Sequence, residues 1–511
     1  MERNSKQCWE CHRRRLVCDS ARPQCRKCQT KGLDCPGYDS SKPVRWVPMQ
    51  SARSKIQPPR AEKDQQIGEN IAARAVIPPS LKADQEMTEL FEGVEYYNLQ
   101  ICSDLMANGF RGQQSPFFMP LEAILLCPKG PLKSLVSVAL CHRLLQSPDR
   151  PSTDKAALIT KMHQYAGESI KALAAWLAEP ENHTSDATLA CVVSLMMAEI
   201  QYGYSSGWQQ HIDGAAAMIN MSGGIGSSVF ARPSIRHLLR YYAIVDVFRC
   251  TTSPNPQLDA TRQQLELVNI MPILYGNGLD TCVPCPPDLF VQVIRINHLR
   301  AQLGSTTTSS KADRLSATLD ILRNIKTNAV DQWAAEIAFS SGLPLSRSGS
   351  SERKPGFGAW LSMAKIFRCA AAAYCISSLF PDAVSSGGAV NSDSDEQCPD
   401  DTGPRGAARD GLADARRIFL ATLLSQLRSI ATVSQLRKFV LWPLVVMGIH
   451  VGSDDEMTQK FVLEELSWIS RAVGIAAPLV AREFLQRRVW PLELGERKWA
   501  DLFDKPYLFA L

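Results

Sequence analysis

Six of the chain's 16 cysteines fall within its first 35 residues, at positions 8, 11, 18, 25, 28 and 35. Their spacing is C-x2-C-x6-C-x6-C-x2-C-x6-C, two near-identical halves that each hold a close pair followed by a third cysteine. A thiolate sulfur is a good zinc ligand, a C-x2-C turn can bring two sulfurs to one ion, and a structural zinc takes four ligands in a tetrahedron. Half of the array supplies three. Two zincs present eight coordination positions, and six sulfurs fill them only if two sulfurs bridge both ions. Cys8 and Cys25, the lead cysteine of each half, are the natural bridges. With every position filled by sulfur, none stays open for a substrate, so the expected cofactor is a pair of structural zinc ions.

The charge around this array has a direction. Residues 1 to 60 carry 14 Lys and Arg against 5 Asp and Glu, a net +9, whereas the whole chain is only +5. A basic head on a near-neutral remainder is the electrostatic footprint of a phosphate-binding module. The densest basic run, Arg13-Arg14-Arg15, follows the second cysteine directly. Six thiolates against two dications leave the cluster itself at −2, so the surrounding basic side chains must offset that charge before they attract nucleic acid.

The segment Cys8-Trp-Glu-Cys11-His-Arg-Arg-Arg-Leu-Val-Cys18-Asp19, continued by Arg22-Pro23-Gln-Cys25-Arg-Lys-Cys28 and Gly32-Leu-Asp-Cys35-Pro-Gly, resembles the fungal zinc binuclear cluster transcription factors. The resemblance implies that one zinc takes Cys8, Cys11, Cys18 and Cys25 and the other takes Cys25, Cys28, Cys35 and Cys8, with Pro23 turning the chain between the halves. It also implies that residues three and four positions after the second cysteine, here Arg14 and Arg15, approach a C-G-G triplet in the major groove of double-stranded DNA. Arginine suits that task because its guanidinium donates two parallel hydrogen bonds to guanine O6 and N7. Arg13, Arg22, Arg26, Lys27 and Lys31 are assigned to phosphates, contacts that position the module without reading sequence.

Other constellations that could do chemistry read as ordinary structure. Cys282-Val-Pro-Cys285 is a second C-x2-C, but no further pair lies near it and two prolines follow, so a loop is expected. Cys191, Cys250, Cys369 and Cys375 sit in apolar helical stretches, where a cysteine behaves as a small buried hydrophobe. His211 reads as a packed or capping residue and Asp454-Asp455-Glu456 as a charged helix start. The acidic run from Asp393 to Asp401 lacks interleaved aromatics and reads as a solvated loop.

These residues need a scaffold, and 511 residues is several times what a zinc module requires. A composition of 45% hydrophobic, 21% charged and 7% aromatic residues is that of a folded globular chain and excludes a fibrous or wholly disordered one. The predicted organisation is a small irregular two-zinc cluster module with short helices over 1–40, a flexible proline-rich linker over 41–80, and a large all-α regulatory domain over 81–511. Disordered insertions are expected near 340–358 and 385–410. Ile159, Met162, Ala166, Ile170, Leu173 and Leu177 recur at helical spacing, with Ser152 or Thr153 as a start signal and Pro180 as a stop. Residues 186–202 are apolar on nearly every side, which suits a central helix. Further helices are predicted over 233–250, 359–379, 411–430 and 457–473.

The start of the chain has no apolar signal region, and the apolar stretch Phe439 to Ile449 is too short to span a bilayer and contains Pro443. A reducing compartment is therefore expected, with no membrane segment. Trp208 to Ile219, Leu441-Trp-Pro-Leu444 with Gly448, and Val489-Trp490 resemble the fungal-specific transcription factor domain that commonly follows such clusters. Together the two resemblances imply a nuclear, non-enzymatic regulator of RNA polymerase II transcription that controls a metabolic or secondary-metabolite gene set. Coregulators are implied partners. No heptad zipper follows the cluster, and the prolines between 36 and 59 forbid one, so pairing would run through the helical body as a homodimer, or the protein binds as a monomer. The alternative reading is a zinc-cluster protein that contacts other proteins and does not itself read DNA.

Overall fold

The computed structural model describes residues 8, 11, 17–21, 24–32 and 35 of the cysteine-rich head, and 85–111, 113–146, 151–203, 207–304, 311–342, 354–380 and 404–510 of the body. The expected linker over 41–80 and most of the two expected insertions lie outside the described residues. The chain divides into two compact units, 1–74 and 75–511.

Among the described residues of the first unit, Arg26–Gln29 form a short helix, α1. Every regular element described in the second unit is helical, and no strand occurs among the described residues. In order they are α2 (Gln85–Gln100), α3 (Lys129–Gln146), α4 (Ser152–Leu177), α5 (Asp186–Tyr202), α6 (Gly207–Met221), α7 (Gly224–Ala231), α8 (Arg236–Thr251) and α9 (Leu258–Leu274). Then follow α10 (Pro287–Gly304), α11 (Lys311–Lys326), α12 (Val330–Gly342), α13 (Phe357–Leu379), α14 (Pro404–Ile430), α15 (Ser434–Arg437), α16 (Leu441–Ile449), α17 (Glu456–Val473) and α18 (Ala477–Phe484). Short 3-10 turns join several of them.

Local chemistry sets the helix limits. The side chain of Ser185 accepts the Thr188 N–H at the start of α5, and Gly203 ends that helix at φ 73°. Asp455 likewise accepts the Thr458 N–H, so Asp454-Asp455-Glu456 is the charged helix start that its sequence suggests. At α4 the residue before the helix is Pro151, and it makes no side-chain cap. The span expected as an insertion over 385–410 overlaps α14, which begins at Pro404, a residue whose fixed φ suits a first helical turn.

Two apolar helices organise the core. Helix α13 is buried almost all round, with Trp360, Met363, Ala370, Tyr374 and Cys375 at 0% exposure. Its length and composition would also let it cross a membrane, but 72% of its apolar window is buried inside the protein. All nine residues of α16 are buried. The contacts of α13 with α10, α11, α12, α14 and α16 explain why neither helix has a polar face.

Polar side chains close the helix ends that this packing buries. Arg300 of α10 donates to the carbonyls of Cys250 (2.9 Å), Thr251 (3.2 Å) and Ser253 (2.8 Å) at the end of α8, and to the Tyr374 hydroxyl (2.9 Å). Arg497 does the same for α16, donating to Ile449 O (3.1 Å) and Val451 O (2.6 Å). The indole of Trp490 donates to Gly448 O at 2.9 Å, which joins two of the motifs singled out in the sequence. A side chain at Gly448 would meet Leu485, since an added Cβ would lie 2.5 Å from its Cδ1. Close approach of the chain to α16 therefore requires glycine there.

Candidate metal centre and nucleic-acid interface

The two C-x2-C turns fold alike. In the first, the Cys11 N–H donates to Cys8 Sγ at 3.4 Å; in the second, the Cys28 N–H donates to Cys25 Sγ at 3.3 Å. The lead sulfur of each pair thus accepts an amide, and in the second pair Cys25 caps α1 while Cys28 lies within it. Cys8 and Cys25 are fully buried, Cys11 and Cys28 are 2% exposed, and Cys18 and Cys35 are half-buried.

The sulfurs gather into two overlapping quartets. Cys8, Cys11, Cys18 and Cys25 form one and Cys8, Cys25, Cys28 and Cys35 the other, each with all Sγ atoms within 4.8 Å of one another. Cys8 and Cys25, the lead cysteine of each half, belong to both. The Sγ separations are 3.6 Å for Cys8 to Cys25, 3.8 Å for Cys8 to Cys28 and 3.7 Å for Cys11 to Cys25. A disulfide has its sulfurs about 2.05 Å apart. A tetrahedron with Zn–S bonds of about 2.3 Å has an edge of roughly 3.8 Å, which these separations match. Among the described residues, no other group of three or more His, Cys, Asp or Glu gathers its ligand atoms in this way.

Burial raises the thiols of Cys8 and Cys11, and it lifts Cys28 to about 12. At neutral pH such sulfurs give up their protons only to a cation that replaces the lost hydration. The donor set is therefore suited to soft, tetrahedral dications.

Asp19 adds a tie that the sequence reading did not assign. Its Oδ2 accepts the Arg26 N–H at 3.1 Å, so the residue after Cys18 reaches across to the first turn of α1. The only sequence signal was a carboxylate placed directly after a ligand cysteine. Arg26 and Lys27 lie on α1 and Lys31 on the turn that follows, and all three side chains are exposed beside the cluster. Arg13, Arg14, Arg15 and Arg22 lie outside the described residues.

The remaining candidates take structural places. Cys282 and Cys285 are buried in the loop before α10, with Cys285 Sγ 3.2 Å from the Tyr275 hydroxyl. Cys191, Cys250, Cys369 and Cys375 are buried within helices, and burial pushes Cys250 up to about 12. His211 is half-buried on α6, and its burial lowers the imidazole below its ordinary range.

Comparison with known proteins matches both units. The fungal Zn(2)-Cys(6) binuclear cluster domain family matches residues 6–45, and the fungal specific transcription factor domain family matches residues 94–505. The chain is 26% identical to the phomenoic acid biosynthesis cluster-specific transcriptional regulator of Leptosphaeria maculans, over 99% of this chain and 89% of that protein. It is 42% identical to the acriflavine sensitivity control protein of Neurospora crassa, over 10% of this chain and 8% of that protein. No solved structure matches.

Proposed function

Because the chain belongs to the fungal transcription factors that join a Zn(2)-Cys(6) binuclear cluster to a fungal specific transcription factor domain, we propose that it is a nuclear, sequence-specific regulator that reads C-G-G-like triplets. That it regulates transcription and carries two zinc ions follows from membership. The observation that carries the finer reading is the pair of quartets sharing Cys8 and Cys25. In this proposal those six cysteines are the zinc ligands, and the metal supplies a rigid fold and no reaction chemistry.

Arg14 and Arg15 then donate to guanine edges, while Arg13, Arg22, Arg26, Lys27 and Lys31 hold phosphates on either side. The exposure of Arg26, Lys27 and Lys31 around a buried sulfur core supports the phosphate role. Five such contacts would make log K fall with log salt at a slope of about −4.5. The helical unit is the regulatory part, acting through coregulators or a second copy of the chain, and has no enzymatic activity. Control of a secondary-metabolite gene set is supported by the Leptosphaeria maculans relative, a biosynthesis cluster-specific transcriptional regulator.

Selection of bound sites from random duplex DNA by the zinc-loaded full-length protein tests this reading. Enrichment of a C-G-G-like triplet is expected. Arg14→Ala or Arg15→Ala should each cost about 1–3 kcal/mol, roughly 5- to 150-fold, at the triplet and little on unrelated DNA. Absence of any enriched sequence, with partner proteins still retained, would replace DNA reading by a protein-contact role.

A further inference from the structure

Helix α1 has only four residues, too few to be held by its own hydrogen bonds. Its orientation is set from outside. Cys25, at its N-cap, and Cys28, within it, both belong to the quartet of Cys8, Cys25, Cys28 and Cys35, so an ion held there fixes the helix at two points. Two fixed points leave rotation about the line through them. Asp19 supplies the third point: its Oδ2 accepts the Arg26 N–H at 3.1 Å, a first-turn donor that has no acceptor inside the helix. At the other end Thr30 Oγ1 donates to Arg26 O at 2.8 Å, but that bond stays within the same turn and orients nothing.

Asp19 is itself anchored, because it follows Cys18, a member of the opposite quartet. The bond therefore ties α1 to the other half of the cluster. Directly after Asp19, Ser20 has φ 55°, the one positive φ outside glycine among the described residues. Such a conformation is uncommon for serine and persists where surrounding contacts over-determine it. This turn is held by its contacts and not by local preference. The two halves also differ here: the residue after Cys35 is Pro36, whose side chain has no acceptor, so the sequence provides no matching carboxylate to offset the loss of Asp19.

We infer that Asp19 is a positioning residue for DNA binding, which fixes the orientation of α1 and so the direction in which Arg26 and Lys27 meet phosphates. Both side chains are exposed and leave α1 at its first two positions, where a change in the helix's orientation displaces them directly. The inference rests on the DNA reading proposed above. Asp19 acts through the Arg26 backbone, and its own charge, which repels phosphate, is not what helps binding.

Asp19→Ala and Asp19→Asn make the same change of charge, but only asparagine keeps an oxygen that can accept the Arg26 N–H. Each is prepared as zinc-loaded full-length protein and titrated with a duplex bearing the C-G-G triplet over a range of salt. Asp19→Asn should bind at least as tightly as the parent and Asp19→Ala about tenfold more weakly than Asp19→Asn. Both should hold two zinc ions. Each phosphate contact contributes about 0.9 to the slope of log K against log salt, so release of Arg26 and Lys27 should make the Asp19→Ala slope shallower by about 1.8. In an Arg26→Ala/Lys27→Ala background, Asp19→Ala should cost nothing further, because the groups it orients are gone. Equal affinity and slope in the alanine and asparagine variants would overturn the inference, as would an asparagine variant as weak as alanine or an undiminished loss in the double-alanine background. Zinc release to excess chelator, measured without DNA, separates the two readings: it should be about tenfold faster in Asp19→Ala than in Asp19→Asn. If the parent binds no DNA, the DNA reading and the positioning role both fail, whereas a parent that binds DNA beside equal release rates refutes the tie alone.

Discussion

Cys25 and Cys35 occupy different ranks in the cluster, and substituting each separately tests the shared-sulfur geometry. Cys25 belongs to both quartets and Cys35 to one. A structural zinc site contributes about 10–16 kcal/mol of binding, so each of four thiolates accounts for roughly 2.5–4 kcal/mol, or about two to three orders of magnitude in affinity. Cys35→Ala should impose that loss on one ion and leave the quartet of Cys8, Cys11, Cys18 and Cys25 complete. Cys25→Ala should impose it on both ions at once. The assay is zinc per chain, by plasma emission, on full-length protein equilibrated with a competing chelator at fixed free zinc. The parent should hold two ions, Cys35→Ala close to one, and Cys25→Ala close to none. Cys18→Ala should match Cys35→Ala, since it has the mirror-related position in the other quartet. Equal loss in Cys25→Ala and Cys35→Ala would refute the bridging role, as would retention of two ions in either.

Three further outcomes follow from the helical unit. Arg437 clamps Glu465 with two bonds of 2.6 and 2.7 Å, and the Glu465 side chain is 7% exposed, so Arg437→Ala should cost about 3–5 kcal/mol in urea unfolding, with Arg437→Met/Glu465→Met recovering most of it. An unchanged midpoint in the single variant would show the pair to be idle. His450 is half-buried, bonded to Ser377 Oγ at 3.1 Å and faced by Arg416 and Arg497, and desolvation followed by those charges lowers its imidazole to about 3. The unfolded chain takes that proton near pH ~6.5, so the unfolded state binds more protons between about pH 6.5 and 3. Stability should be full above about pH 6.5 and fall as pH drops through that window, with a flatter profile in His450→Gln; identical profiles would remove His450 as the cause. Gly474 ends α17 at φ 69° and an added Cβ would collide with the His142 ring, so Gly474→Ala should cost about 2–4 kcal/mol by thermal or urea melting. A loss below 0.5 kcal/mol would mean that the ring moves aside freely.

The zinc cluster and the limits of many helices are determined by the sequence alone, because both are local. A C-x2-C turn brings its sulfurs together within four residues, counting ligands against coordination positions calls for two shared sulfurs, and Cys8 and Cys25, the lead cysteines, are the two that lie in both quartets. Ser185, Gly203 and Asp455 act on their own helix ends, and α5 has the bounds, 186–202, at which its apolar run begins and stops. Periodicity says which residues share a helical face and not what that face meets. On α4, Ile170 belongs to the apolar stripe yet is 44% exposed, whereas Tyr165 and Ser169 are buried because Tyr165 bonds Glu89 and Ser169 bonds Gly130 O at 2.7 Å. Those partners lie on α2 and α3, and no property of α4 names them. Contacts across long stretches of chain belong to the same class: Thr252 Oγ1 receives the Tyr507 N–H at 2.9 Å, and Trp490 reaches Gly448. Two unpaired amide oxygens are further still from the sequence, since Gln292 and Asn328 are ordinary polar residues until packing removes the water from their Oε1 and Oδ1 and offers no donor in return. Burial and partnership are properties of assembled helices, and only the tertiary structure decides them.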